Sequence, residues 1–284
     1  MRQPIDRRHD RGQNFLIDRH TISTVCTSVA ATNGPILEIG PGGGALTLAL
    51  ERLGRRLDCL EVDPERAADL TRRVSPTTTV RVGDVLDHRF SARPHVVVGN
   101  LPFGLTTPIL RRLLSAPGWT DAVLIVQWEV ARKRAAVGGA TMLTAQWWPW
   151  FDFTLVERVP AAAFRPRPAV DGGVLTIGRR RSPLLAWADR RNPHRLVQQV
   201  FTGRGRGVGE ILGKTIRQPP PVITDWLRRA EVAPGALPRD LSAQQWARLS
   251  RSAAGRDQRS RRGRSRPRAD APATSHTSPS RRPK

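Results

Sequence analysis

The clearest indication of a chemical role in this chain comes from four consecutive residues, Asn100-Leu101-Pro102-Phe103. They follow an apolar run over residues 96–99 that is typical of a buried strand. The Asn100 side-chain oxygen and the Leu101 carbonyl can each accept a hydrogen bond from an exocyclic amine. Pro102 stiffens the backbone, and Phe103 offers a face on which a flat ring can stack. The tetrad also fits an ordinary turn at a strand end, so the rest of the chain must decide between the two.

A glycine-rich loop earlier in the chain is a candidate cofactor site. Residues 38–44 read Glu-Ile-Gly-Pro-Gly-Gly-Gly and lie between a predicted strand and a predicted helix. Glycines there let the backbone turn tightly and let a ligand approach it closely. A dinucleotide loop would place glycine at position 45, where this chain has Ala45, and there is no Walker lysine. Glycine at 40, 42 and 44 after an acidic residue therefore favours S-adenosylmethionine over a dinucleotide or a triphosphate.

Two carboxylates end the next predicted strands. Glu61 lies 21 residues after Gly40, where folds of this kind place an acid against ribose hydroxyls, and Asp84 could accept from an adenine amine. The carboxyl ends of parallel strands meet at one edge of a sheet, so we expect both beside the glycine loop. Taken singly, each also fits a solvated strand-end carboxylate.

Together these motifs predict methyl transfer to an exocyclic ring nitrogen. The amine lone pair of adenine is delocalised into the ring and is a poor nucleophile. Two acceptors on its hydrogens can aim that lone pair at a methyl donor, which is catalysis by orientation and electrostatics without a dedicated base. A base inside a duplex is out of reach, so the target must be unpaired or flipped out.

The charge of the chain indicates a polyanionic partner. Its 284 residues include 47 basic and 24 acidic side chains, a net charge of +23. Nucleic acid is the simplest partner, and an anionic membrane surface is the alternative. The sequence contains no apolar run of about 18 residues and no signal peptide, and Cys26 and Cys59 lack metal-ligand spacing. We therefore expect a cytoplasmic protein that binds neither a membrane nor a metal.

Strand and helix patterns alternate through residues 1–180, which predicts an α/β fold with a mostly parallel sheet. The last two predicted strands lack a long helix between them, so one of them is expected to be an antiparallel edge. Residues 181–250 predict a small all-helical domain, and the Arg-rich residues 251–284 predict a disordered tail. Strands are predicted at 35–39, 57–62, 79–83, 95–99, 121–127, 152–158 and 173–179, and helices at 18–32, 44–54, 64–73, 106–115, 128–137 and 141–148.

The ordered motifs resemble those of the ribosomal RNA adenine N6-methyltransferases. One branch of that family dimethylates small-subunit RNA. The other, the erythromycin-resistance (Erm) branch, modifies an adenine of large-subunit RNA and blocks macrolide, lincosamide and streptogramin B binding. Segments 126–133, 147–150 and 164–171 and the Arg-rich tail are similar to the Erm branch. The family resemblance rests on Gln13-Asn14-Phe15-Leu16, the loop 38–44, Glu61, Asp84 and Asn100-Leu101-Pro102-Phe103.

The resemblance implies a Rossmann-like S-adenosylmethionine-dependent methyltransferase sheet. It also implies a specific role for each of several cofactor-binding residues. Asn14 and Leu16 would contact the methionine end of the cofactor. Gly40 and Gly42 would line it. Glu61 would hold the ribose, Asp84 would bind the adenine, and Asn100 would lie between the cofactor and the target.

The resemblance also implies how the target adenine is held. Asn100, Leu101, Pro102 and Phe103 would form the catalytic tetrad, and Phe164 would face Phe103 across the flipped base. Tyrosine is frequent in the family where this chain has Phe103, and the chain contains no tyrosine. Stacking survives that change, but a hydrogen bond from a hydroxyl does not.

The implied substrate is 23S ribosomal RNA, methylated by a monomer before the ribosome is fully assembled. Two alternatives stay open: a small-subunit (16S) dimethylase, and a non-catalytic RNA-binding or transcription factor on the same fold. Outside the motifs, Trp147, Trp148 and Trp150 are expected to pack between helix and sheet rather than to stack on RNA. Arg165 and Arg167 flank the expected site and are predicted to contact RNA.

Overall fold

The computed structural model describes residues 14–216 and 218–264, with side chains described as far as residue 254. A seven-stranded sheet forms its centre, and two short strands pair beside it. The strands of the sheet are β2 (Ile36–Ile39), β3 (Leu57–Glu61), β4 (Thr78–Val82), β5 (His95–Asn100), β6 (Trp119–Gln127), β7 (Phe151–Val159) and β9 (Gly172–Arg179). The short pair is β1 (Phe15–Leu16) with β8 (Phe164–Arg165).

The strand order is β4-β3-β2-β5-β6-β9-β7, and the five strands from β4 to β6 are parallel. This confirms the predicted α/β fold. The expected antiparallel edge is also confirmed: β7 is the edge strand and pairs antiparallel with β9, which lies inside the sheet and is antiparallel to β6. Burial gives the reason: β9 is buried along most of its length, whereas β7 alternates buried and exposed residues as an edge strand does.

Helices cover the sheet on both faces. On one face α1 (Arg19–Ala30) and α2 (Ala45–Leu50) pack Val25, Val29 and Leu50 against β2 and β3. On the other face α4 (Thr106–Ser115) packs a stripe of leucine and isoleucine against β5 and β6. Helices α5 (Trp128–Arg134) and α6 (Met142–Trp147) contribute to the same apolar cluster, and α3 (Pro64–Thr71) packs beside β3 and β4. No helix joins β4 to β5; residues 83–94 form a loop there instead.

Four helices follow β9 and enclose their own apolar cluster: α7 (Arg191–Thr202), α8 (Val208–Thr215), α9 (Pro220–Ala230) and α10 (Ala243–Arg264). Leu196, Leu212, Leu227 and Trp246 are among the buried residues of that cluster. In the described part of the chain, no helix is long and apolar enough to cross a bilayer.

Helix α10 crosses the predicted boundary at residue 250. It continues to Arg264, so the end of this helix does not mark the predicted start of the tail, and the disorder of the tail stays a prediction. Ala253 packs against the cluster of the C-terminal helices, and a helix that is already nucleated extends readily through alanine and arginine. The rest of the predicted tail, residues 265–284, lies outside the described residues.

An aromatic cluster joins the sheet to the C-terminal helices. Trp147 and Trp150 are buried and Trp148 is half-buried, so the predicted packing role of the three tryptophans is confirmed. Trp119 stacks on Phe151 with ring centroids 4.9 Å apart.

We predict that Arg179→Ala lowers the free energy of unfolding by about 2–3 kcal/mol. Arg179 donates from Nε to the Trp119 carbonyl and from Nη2 to the Ala116 carbonyl, both at 2.9 Å. Its guanidinium also lies over the rings of Trp119, Phe151 and Trp187. Urea unfolding of the variant measures the loss. The exposed Arg181→Ala is the control, and equal effects of the two substitutions would contradict this account.

Candidate cofactor and base-binding site

A cavity of about 270 Å³ opens at the carboxyl ends of β2, β3 and β5. Strand β2 pairs with β3 on one side and β5 on the other, so the strand order reverses there and leaves a crevice above the sheet. The cavity brings together nine of the residues predicted to form the site: Asn14, Leu16, Gly40, Gly42, Glu61, Asn100, Leu101, Pro102 and Phe103.

The glycine loop is fixed by a buried carboxylate and an aromatic ring. Glu61 accepts hydrogen bonds from the Gly42 N–H (2.9 Å, Oε2) and the Asp63 N–H (3.1 Å, Oε1). Gly42 has a φ of +53°, and a Cβ atom there would lie 2.9 Å from Phe15 Cε1. Only glycine fits this position without strain, because both the backbone conformation and the ring of Phe15 exclude a side chain.

Asn100 is oriented by a backbone contact from the start of the described chain. Its Nδ2 donates to the Asn14 carbonyl at 2.7 Å. Because a carbonyl can only accept, the amide nitrogen faces Asn14 and Oδ1 becomes the acceptor of the Asn100 side chain. The Leu101 N–H donates to the Ile125 carbonyl of β6 at 2.9 Å, which places the tetrad at the end of the buried sheet.

Phe103 and Phe164, the two rings expected to hold the target base, are neighbours in this structure, and their role toward a base stays a prediction. Their ring centroids are 6.1 Å apart and the planes meet at 76°, which is an edge-to-face contact. A base held between two rings needs parallel planes with room for a third ring. Phe164 is buried, because β8 pairs with β1 and the ring packs beside Gly172. Of these two rings, Phe103 is the one that is partly exposed at the cavity.

Asp84 lies outside the residues that line the cavity. It follows β4, one strand beyond Glu61 in the sheet order, and its Oδ1 accepts from the Leu86 N–H at 2.8 Å. Its role toward an adenine ring stays a prediction.

Glu38 is a site residue for which the sequence reasoning gave no role of its own. It lines the cavity but is only 1% exposed, and its Oε2 accepts from Thr47 Oγ1 at 2.7 Å. Burial raises the pKa of this carboxyl to about 7. The feature of the sequence that could have indicated this residue is an acidic side chain inside an otherwise apolar strand. Phe15 and Ile17 also line the cavity without having been assigned a role.

Basic side chains lie near this edge of the molecule. Arg165 is exposed on β8, and Arg158 forms an ion pair with Asp171 at 2.6 Å. Arg167 is also exposed, so both arginines predicted to contact RNA are accessible to it. Within the described residues, no three His, Cys, Asp or Glu side chains are grouped as a metal site.

We predict that Gly42→Ala weakens S-adenosylmethionine binding at least about 10-fold. The added methyl group meets Phe15 and strains the loop, by roughly 1–3 kcal/mol. Isothermal titration calorimetry measures the change. Gly43→Ala is the matched control, since a Cβ there meets nothing within 4 Å. Equal losses in the two variants would contradict a steric role for the Gly42–Phe15 contact.

We predict that Glu38 makes the protein less stable as pH rises from about 4.5 to 7. The folded chain keeps a proton on Glu38 up to a pKa of about 7, whereas the unfolded chain releases it near 4.5. Unfolding therefore releases a proton in this window, and stability falls by up to about 3 kcal/mol. Urea unfolding between pH 4.5 and 8 should show that Glu38→Gln removes this fall. The exposed Glu65→Gln, as the control, should still show the fall in stability. Parallel pH profiles for the parent chain and both variants would contradict the role of Glu38.

Comparison with known proteins identifies the family. The family model for ribosomal RNA adenine dimethylase matches residues 6–254. The chain is 50% identical over 245 residues to the mycinamicin-resistance protein MyrB of Micromonospora griseorubida, which covers 86% of this chain and 78% of MyrB. It is 53% identical over 206 residues to an rRNA adenine N-6-methyltransferase of Corynebacterium diphtheriae, covering 72% of this chain and 81% of the relative.

A solved structure gives the same answer. The crystal structure of the 23S rRNA methyltransferase ErmE is similar, with a TM-score of 0.76 at 34% identity, over 84% of this chain and 99% of that one. The resemblance seen in the motifs is thereby confirmed over most of the chain, and the chain belongs to the ribosomal RNA adenine dimethylase family.

Proposed function

We propose that this chain transfers a methyl group from S-adenosylmethionine to N6 of a specific adenine in 23S ribosomal RNA, and so confers resistance to macrolides, lincosamides and streptogramin B. One observation carries the proposal: a single cavity joins the glycine loop and Glu61 to the tetrad Asn100–Phe103. Such a cavity can hold a methyl donor and a flat amine side by side.

The residues at the cavity fit S-adenosylmethionine. Asn14 and Leu16 close the end of the cavity beside Asn100, where the methionine portion would lie. Gly40 and Gly42 leave room for close approach, and the Glu61 carboxylate can accept from ribose hydroxyls. We assign the adenine end to Asp84, which follows β4, one strand farther along the sheet. The cofactor supplies the methyl group on its sulfonium when bound.

Asn100 and Leu101 orient the target amine. Asn100 Oδ1 and the Leu101 carbonyl accept hydrogen bonds from the two N–H groups of the amine. The nitrogen lone pair then points away from both acceptors. The bond from Asn100 Nδ2 to the Asn14 carbonyl holds the amide in place before the base arrives. Such preorganised acceptors also stabilise the positive charge that develops on the nitrogen as its bond to the methyl carbon forms. Pro102 fixes the turn, and Phe103 supplies the stacking face.

The relatives favour large-subunit RNA over the two alternatives. MyrB is a resistance protein and ErmE is a 23S rRNA methyltransferase, and both cover most of this chain. A small-subunit dimethylase shares the fold but does not explain this similarity to resistance proteins. A non-catalytic RNA-binding protein has no need of the Glu61–Gly42 contact or of an oriented Asn100.

Expression in a macrolide-sensitive bacterium tests the function. We expect resistance to macrolides together with a primer-extension stop at one adenine of 23S RNA. A stop found only in 16S RNA would establish the small-subunit alternative. Absence of both modification and S-adenosylmethionine binding would establish the non-catalytic one.

The state of the substrate is tested with the purified protein. We propose that it acts in the cytoplasm as a monomer on 23S RNA that is not yet fully assembled. Naked 23S RNA should accept methyl groups, and mature large subunits should not. Equal labelling of both substrates would reject the assembly-stage part of the proposal.

We predict that Asn100→Ala lowers methyl transfer by about 10²–10³-fold, the range found when one preorganised polar group at a reacting centre is removed. RNA binding and the thermal midpoint should change little, because Asn100 is only half-buried. Tritium transfer to a 23S fragment, with RNA binding measured in parallel, tests this. Asn33→Ala, at an exposed turn, is the matched control. Activity of Asn100→Ala within about threefold of the parent chain would rule out the orienting role.

A further inference from the structure

A second cavity, of about 440 Å³, lies beneath the loop that joins β4 to β5. It is bordered by the starts of β2 and β5 and by Arg56, just before β3. The cofactor cavity opens at the carboxyl ends of the same strands. The two cavities share no lining residue, although they take neighbouring residues from β2 (Leu37 here, Glu38 there) and from β3 (Leu60 here, Glu61 there). Neither the glycine loop nor the tetrad lines this second cavity.

The charge of the second cavity is strongly positive. Four arginines line it, Arg56, Arg81, Arg89 and Arg93, whereas its one lining carboxylate is Asp58. Asp58 is shared between Arg56 at 3.1 Å and Arg81 at 3.7 Å, so it cannot neutralise the group. Arg89 and Arg93 are exposed on the covering loop. Guanidinium groups in this arrangement suit phosphate oxygens, to which arginine binds with paired N–H donors.

A buried histidine in the same cavity has one ring nitrogen without a hydrogen-bond partner among the described residues. His95 is 6% exposed and lines the cavity, and its Nε2 is buried with no partner among the described residues. Its Nδ1 lies 2.8 Å from the Arg93 carbonyl, which can only accept, so Nδ1 carries the proton. In the neutral ring Nε2 is then an acceptor. A buried acceptor without a donor costs free energy, which a ligand hydroxyl would relieve.

The loop over the cavity is held in place by contacts outside it. Arg112 of α4 donates to the His88 carbonyl at 2.7 Å. Gly118 allows the loop to approach closely, since a Cβ there would lie 2.1 Å from the Ser91 carbonyl oxygen. Phe90 is buried in the core beneath the loop. The cavity is therefore preorganised, which lowers the entropic cost of binding a ligand.

We propose that this second cavity is an auxiliary site for the backbone of the RNA substrate. The arginines hold phosphate oxygens, and His95 Nε2 accepts a hydrogen bond from a ribose 2′-hydroxyl. A 2′-hydroxyl is the donor that RNA has and DNA lacks, so the buried acceptor adds discrimination to the charge. The inference rests on the proposed RNA substrate and extends it: RNA contacts the enzyme at a cavity separate from the one that binds the methylated adenine.

Binding measurements with a 23S fragment test the site without relying on methylation. The variant Arg89→Ala/Arg93→Ala removes two exposed charges from the covering loop. We expect its Kd for the fragment to rise about 10-fold and the slope of log K against log salt to fall by about 1–2. Affinity for S-adenosylmethionine should not change. The matched control is Arg52→Ala/Arg72→Ala, which removes two exposed charges near α2 and at the end of α3, away from the cavity.

The His95 contact has its own test. His95→Phe keeps an aromatic ring but removes the acceptor, and we expect RNA affinity to fall about threefold while affinity for the DNA of the same sequence stays unchanged. Hydroxyl-radical footprinting should show backbone protection away from the target adenine, lost in Arg89→Ala/Arg93→Ala and kept in the control.

Several results would overturn the site. These are RNA affinity of Arg89→Ala/Arg93→Ala equal to that of the control, loss of S-adenosylmethionine binding along with RNA binding, or equal loss of RNA and DNA binding in His95→Phe.

Titration with AMP and with inorganic phosphate separates free ligands from RNA. Tight AMP binding that Arg89→Ala/Arg93→Ala abolishes, with RNA affinity unchanged, would assign the cavity to a free nucleotide. A chain that methylates 16S RNA only would contradict the proposed function and leave these binding outcomes decisive for the cavity.

Discussion

The parallel pairing of β2 with β3 on one side and β5 on the other is the constraint on which the rest of the structure depends. Residues separated by tens of positions in the chain end their strands at one edge because of it. Gly40, Glu61 and Asn100 thereby reach a common cavity. The same pairing aligns the opposite ends of these strands, where the arginine-lined cavity opens. The pairing of these strands thus sets the positions of both cavities.

Polar contacts inside the first cavity prepare it before any ligand binds. Glu61 is tied to Gly42, and Asn100 is tied to the Asn14 carbonyl. In both cases a backbone group fixes the atom that a ligand must meet, which reduces reorganisation during the reaction. Glu38 differs from these residues in that it lowers the stability of the fold, because burial raises the pKa of its carboxyl to about 7. Burying this carboxyl beside the cofactor cavity therefore lowers the free energy of unfolding once the pH exceeds the pKa of an exposed glutamate.

Much of the fold could be predicted because hydrophobic periodicity is local. Apolar runs identified β2, β5 and β6, and the spacing of leucines identified α4. The place of β9 between β6 and β7 is a matter of pairing between distant segments, which periodicity does not encode. Composition also does not show where α10 ends, because a helix nucleated on the apolar cluster of the C-terminal helices continues into its arginine-rich part.

The sequence by itself determined the chemistry of the first site, because the donor and acceptor types of Glu61, Asn100 and Phe103 are properties of the residues and their order along the chain. Only the tertiary structure decided which groups meet. It placed Phe164 in an edge-to-face contact with Phe103, and it left Asp84 outside the cavity lining. It also assembled four arginines and His95 from separate strands and a loop. The physical reason is that contacts between remote segments depend on strand order and packing, which no local pattern of residues contains.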